Sequence, residues 1–119
     1  MYVVITVLCL FCSAGVNSQN FNVPDVQIEA LNPKGFRVSI SDEDGIQLFA
    51  FHGKINEEMN GREAGTFSKD IVTSENGRWT FFERNTVLKI GDVIYYWIHV
   101  RFNGTGYEKD GEHFTVTEL

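Results

Sequence analysis

Carboxylates that could do acid–base work are plentiful in this 119-residue chain: Asp42, Glu43, Asp44, Glu57, Glu58, Asp70, Glu108, Asp110 and Glu112. Two carboxyl groups held at a set separation across a cleft hydrolyse glycosidic bonds. Most of these, however, fall in turns beside glycine, where an acidic side chain is solvated, and no Glu-x-Asp-x-x-Glu strand motif assembles them. His52, His99 and His113 share no metal-ligand spacing, and His52 and His99 fall within strand patterns, where they read as packing histidines. The run from Asp42 to Gly45 opens like a calcium loop but lacks the later ligands and the closing Glu, so it reads as a turn. There is no Gly-x-Ser-x-Gly elbow. Hydrolysis, metal chemistry and covalent catalysis therefore have no assembled site, and no cofactor is called for. Sugar binding has a different requirement: exposed rings to stack on flat C–H faces, and charged groups to hydrogen-bond hydroxyls. Trp79, Trp97, Tyr95, Tyr96, Tyr107 and Phe67 are the candidate rings.

The elements that must position them are strands. Asp25 to Leu31 and Phe36 to Ile40 alternate apolar and polar residues at period two. Ile46 to Lys54 is apolar on both faces, as a central strand is. Asn56 to Glu63 has the composition of at most one helical turn, since Gly61 and Gly65 punctuate it. Thr66 to Val72, Arg78 to Glu83 and Leu88 to Ile90 are short strand candidates, and Val93 to Phe102 is the longest β-rich run. Asn103-Gly104 is a hairpin signal, with His113 to Thr117 pairing back as the last strand. Seven or eight short strands at about ten-residue spacing predict an all-β, antiparallel immunoglobulin-like (fibronectin-like) β-sandwich without disulfides. In Tyr95-Tyr96-Trp97-Ile98, Tyr95 and Trp97 share one face while Tyr96 and Ile98 share the other, and one of these faces is core.

Val3 to Cys12 is an apolar run broken only by Thr6 and followed by small residues, which predicts a signal peptide over 1–18 and a mature module over 19–119 that is secreted and extracellular. Both cysteines, Cys9 and Cys12, lie in that leader, so the module is held by its core alone. Ten Phe make this feasible, because each buried ring removes about 150–250 Å² from water. The net charge of −6 and the scattered Lys and Arg argue against nucleic acid and anionic membranes as partners. No second apolar run provides a membrane span. Asn103-Gly104-Thr105 is an N-glycosylation acceptor in an exposed hairpin.

Ile46 to Asp70 resembles the N-terminal glucan-binding module of the insect β-1,3-glucan recognition proteins, also called Gram-negative-bacteria-binding proteins. Pro33 to Ile40, Asn76 to Phe81, Leu88 to Asp92, Ile94 to Trp97 and Gly104 to Tyr107 are similar to the same family in the same order. The resemblance implies a secreted innate-immune pattern-recognition module that binds triple-helical β-1,3-glucan of microbial walls on a shallow surface and is no enzyme. It places Asp70 and Trp97 in the glucan site, with Tyr107, Glu108, Lys109 and Thr66 beside them. Where the family commonly carries Arg, this chain has Glu108 followed by Lys109. Phe67 replaces a common Trp, and Thr66 stands where some members have an acidic or polar residue. The alternative is a protein-binding immune sandwich that has lost glucan affinity. Further partners the resemblance leaves open are self-association on glucan and immune proteases. The chain either stands alone or is a piece of a longer one.

Overall fold

The computed structural model describes residues 21–119, so the leader expected over 1–18 lies outside the described residues. Seven strands follow one another: β1 (Gln27–Ala30), β2 (Phe36–Ser41), β3 (Ile46–Ile55), β4 (Phe67–Ile71), β5 (Arg78–Glu83), β6 (Val93–Phe102) and β7 (Thr105–Thr115). They form two antiparallel sheets, ordered β1-β2-β5 and β4-β3-β6-β7. The sheets face each other across one apolar layer, an all-β sandwich of the predicted class.

Period two decides what enters that layer. β2 contributes Phe36, Val38 and Ile40, β5 contributes Trp79 and Phe81, β3 contributes Phe49 and Phe51, and β6 contributes Ile94, Tyr96, Ile98 and Val100, all buried. Phe51 sits at the centre, with ring centroids 4.8 Å from Phe81, 5.7 Å from Tyr96 and 6.4 Å from Phe36. Burial, and to a lesser degree Glu112, pushes the Tyr96 phenol up to about 12. Trp79 is likewise core, and its indole Nε1 donates to Asp42 Oδ1 at 2.8 Å, the polar outlet a buried indole needs. Gly53 is glycine for a steric reason: a Cβ there would lie 2.8 Å from Phe51 Cζ and 3.2 Å from the Tyr95 carbonyl.

Three expectations change. Residues 56–63 form no helical turn; they belong to an irregular loop that leaves β3 at Asn56, where φ is +60°. Residues 88–90 form no strand: Leu88 is buried as a plug while Lys89 and Ile90 are exposed, and Gly91 turns the chain. The last strand begins not at His113 but at Thr105, straight after the Asn103-Gly104 turn. Its first half is polar because β7 is an edge strand with a solvated face, so hydrophobic alternation does not mark it.

Candidate functional site

The outer face of the four-stranded sheet carries two rows of polar and aromatic side chains. Register sets them. Asp70 lies opposite Ala50, Ala50 opposite His99, and His99 opposite Glu108. The next row runs Ser68, His52, Trp97. Ala50 is 3% exposed despite facing outward, so the first row has a small, covered floor between Asp70 and His99.

Trp97 does not stand alone. The His52 ring lies flat against it, centroids 4.2 Å apart and planes 10° from parallel. His52 Nδ1 lies 3.1 Å from the Ala64 carbonyl and 2.9 Å from Ser68 Oγ. A carbonyl only accepts, so the tautomer with hydrogen on Nδ1 satisfies it. Trp97 Nε1 donates to the Glu63 carbonyl at 2.8 Å. Lys54 Nζ pairs with the Glu63 carboxylate at 2.8 Å and with Glu57 at 3.2 Å. These contacts hold the loop after β3 down across β3 and β6. The Glu63 hydrogen bond raises the Lys54 pKa, and Lys54 lowers that of Glu63 in turn. At its far end the loop reaches β7: Arg62 Nε lies 3.0 and 3.1 Å from the two Asp110 oxygens and Nη2 lies 2.8 Å from Oδ2, with Glu108 3.6 Å from Nη1. This forked pairing with Asp110 raises the Arg62 pKa. Glu108 also accepts from His99 Nδ1 at 2.5 Å.

A bulge aims β7. Tyr96 pairs with Glu112 but Ile98 pairs with Lys109, so β7 holds one extra residue there, and Gly111 has the positive φ, +67°, that bulges favour. An extra residue switches which side chains face out. Glu108 therefore lies on the outer face beside His99, whereas its neighbours Tyr107 and Lys109 turn to the other side. Tyr107 packs on Phe21 with centroids 5.1 Å apart, and Lys109 Nζ lies 3.9 Å from Asp25. Of the residues expected in the site, Asp70, Trp97 and Glu108 share the face. Thr66 is exposed immediately before β4, Tyr107 and Lys109 lie elsewhere, and Asn103 sits in the β6–β7 turn. Among the candidate rings, Trp79 and Tyr96 are core and Phe67 packs edge-on against Phe36 at 5.3 Å. Tyr95 and Trp97 are the half-exposed pair on the outer face.

The fastening of the loop begins at Asn56. Its side chain donates to Asp92 Oδ1 at 3.0 Å and accepts from the Val93 N–H at 2.9 Å, while the Lys89 N–H donates to Asp92 Oδ2 at 2.8 Å. The Asn56 amide first, and then the Lys89 N–H, hold the buried Asp92 carboxyl below its usual range, against the opposing effect of burial. A depressed folded value gives stability that is present above the unfolded pKa, about 3.9, and lost as pH falls through the folded value. The expected result is a thermal midpoint that is flat down to about pH 5 and falls below about pH 4, with Asp92→Ala costing about 2–3 kcal/mol at neutral pH through its two orphaned donors. A neutral-pH loss under about 0.5 kcal/mol, within the range of ordinary surface changes, would refute the role given to this carboxylate.

Two open clefts mark the surface. One, of about 380 Å³, lies between the loop and β7 and includes Arg62, Tyr95, Trp97, Asp110 and His113. The other, of about 550 Å³, lies on the outer face of the three-stranded sheet, among Arg37, Arg78, Arg84 and Phe82. The larger is the poorer sugar platform: its exposed ring, Phe82, has the Arg84 guanidinium 4.2 Å above it. The sequence offered one cue to the His52 stack and the Arg62 latch, a Gly-punctuated loop entering a strand, but pairing across 45 or 48 positions is visible only once register is known.

No helix among the described residues is long and apolar enough to cross a membrane, and no group of three or more His, Cys, Asp or Glu among them could hold a metal ion. Comparisons with known proteins agree with the fold. Residues 22–119 match the CBM39 family, described as a carbohydrate binding domain (family 32). The chain is 51% identical over 119 residues to a beta-1,3-glucan-binding protein of Tenebrio molitor, covering 97% of this chain and 25% of that protein. It is 57% identical over 107 residues to Gram-negative bacteria-binding protein 3 of Drosophila melanogaster, covering 90% and 21%. With beta-1,3-glucan-binding protein 2 of Manduca sexta the identity is 52% over 116 residues, covering 94% and 24%. The chain thus spans about a fifth to a quarter of the length of these relatives. The crystal structure of a bromine derivative of BhCBM56 shares the fold, with a TM-score of 0.60 at 18% identity, covering 81% of this chain and 95% of that one. A sandwich whose outer face lifts two half-exposed rings among charged side chains, matched by the family over nearly all its described length, belongs to the CBM39 carbohydrate-binding domains.

Proposed function

We propose that this chain binds β-1,3-glucan of microbial surfaces through the outer face of its four-stranded sheet, as a secreted recognition module of insect innate immunity that performs no hydrolysis. The observation that carries this reading is Trp97, held half exposed between His52 and the β7 side of an open face, with Arg62 and Asp110 beside it in one cleft and Asp70 and Glu108 elsewhere on the same face. A neutral polysaccharide suits this face. The indole supplies a stacking plane, and the charged groups supply hydrogen bonds to hydroxyls that are stronger than neutral ones. The names of the relatives, which speak of β-1,3-glucan and of Gram-negative bacteria, point to the same ligand class. A glycan on Asn103 would sit four residues, roughly 13 Å at strand spacing, from His99 of the His99–Glu108 pair, near enough to reach the rim of the face.

One observation favours a protein partner instead: Glu108 already has His99 and Arg62 beside it and so has less to offer a sugar. Co-sedimentation decides. The chain from residue 19 onward, incubated with insoluble β-1,3-glucan, cellulose and chitin, is expected in the pellet with the first and in the supernatant with the other two. A folded, unglycosylated sample that stays in solution with β-1,3-glucan would turn the reading toward a protein partner.

A further inference from the structure

Trp97 has one ring face left to offer. His52, on β3, covers the other, and β7 flanks β6 on the opposite side from β3, so the open face of the indole looks toward β7 and away from Asp70 on β4. There the loop and β7 enclose the cleft of about 380 Å³, walled by Tyr95, Trp97, Met59 and His113 and rimmed by Arg62 and Asp110. The rim pair is 53% and 50% exposed, a degree at which an ion pair contributes little to stability. Its geometry leaves capacity unspent. Of the five guanidinium N–H donors, the Nε and Nη2 groups engage Asp110, while Nη1 lies 3.6 Å from Glu108. The pair thus presents strong donors and strong acceptors side by side without net charge, complementary to vicinal hydroxyls, each of which both donates and accepts.

We propose that this cleft is a hexose subsite, in which one ring of a neutral glucan stacks on the open face of Trp97 beside Tyr95 while its hydroxyls bridge Arg62 and Asp110. The subsite rests on the glucan reading above and adds to it. It moves the stacked sugar to the β7 side of Trp97, and it makes Arg62, contributed by the loop, a ligand contact. The neighbouring Glu58 and Glu112 carboxylates disfavour an anionic sugar in the same cleft.

Titration calorimetry with laminarin, a soluble β-1,3-glucan, tests it on wild type, Arg62→Ala, Arg62→Lys, Asp110→Asn and the exchange variant Arg62→Asp/Asp110→Arg. Circular dichroism and thermal midpoints establish that each is folded. Loss of a charge-assisted hydrogen bond to ligand is expected to weaken binding about tenfold in Arg62→Ala and in Asp110→Asn. Arg62→Lys, which keeps the charge but not the fork, is expected to weaken it too, and it replaces Arg62→Ala if that variant is unstable. The exchange variant is expected to stay weak, because it restores the ion pair but reverses donor and acceptor. Full recovery there would overturn the proposal, reducing the pair to a latch for the loop. So would single variants binding within twofold of wild type, which would leave the glucan reading standing. Wild type failing to bind laminarin would remove both.

Discussion

Trp97→Ala is expected to weaken laminarin binding by a factor of about 30 or more, the loss typical of a central aromatic anchor, about 2 kcal/mol. Three things go at once. The stacking plane disappears, the Glu63 carbonyl loses the indole N–H at 2.8 Å, and His52 loses the ring it lies against at 4.2 Å. The last two loosen the loop that carries Arg62, so the substitution disturbs both sides of the face. Trp97→Phe separates the contributions: it keeps a plane for the sugar and a stack for His52 but gives up the loop bond, and should fall between wild type and Ala. Because Trp97 faces away from the core, the thermal midpoint should move little. Laminarin affinity of Trp97→Ala within twofold of wild type, measured by calorimetry, would remove Trp97 from the site.

Phe51→Ala is expected to do the reverse and remove the fold. Phe51 is fully buried among Phe36, Phe81 and Tyr96, and so joins both sheets. Truncating a ring at such a position costs about 3–5 kcal/mol, a large share of the 5–15 kcal/mol that holds a domain together. In urea, with a slope of about 1–3 kcal/mol/M, the midpoint should drop by at least about 1 M. The cavity is not refilled from the neighbouring Gly53, which has no side chain to move into it. A loss below about 1 kcal/mol in equilibrium unfolding would mean that this core relaxes far more readily than close-packed interiors do.

The strands that were legible in the amino-acid sequence are those with one dry face. β2 announces itself because Phe36, Val38 and Ile40 alternate with Arg37 and Ser39, β5 as a short aromatic run from Arg78 to Glu83, and β6 as the longest run of β-branched and aromatic residues. The doubly apolar β3 is indeed central, between β4 and β6. β7 was half hidden because an edge strand with Gly106, Glu108, Asp110 and Gly111 shows no apolar alternation, and the bulge at Gly111 breaks the period that would betray it. Three consecutive residues, Tyr107, Glu108 and Lys109, were assigned together to one site through resemblance, although regular strand pairing there lets only the middle one face it. Asp70, Trp97 and Glu108 were legible through resemblance. The partners that position them were not. His52 looked like a packing histidine, and nothing in the sequence singled out Arg62, because what defines both is a neighbour 45 or 48 residues away.

The two tryptophans stand on opposite sides of the sandwich's hydrophobic boundary, Trp79 inside it at 5% exposure and Trp97 outside. Each indole N–H is tied to a loop, the first to Asp42 and the second to the backbone of Glu63. The chain therefore carries two native fluorophores with separate meanings. Emission from Trp79 is expected to follow the melting of the interior, while Trp97, half exposed, is open to a quencher dissolved in the medium and, if the proposed site is right, to a bound sugar. Binding and unfolding would then be read from two tryptophans of one unlabelled molecule.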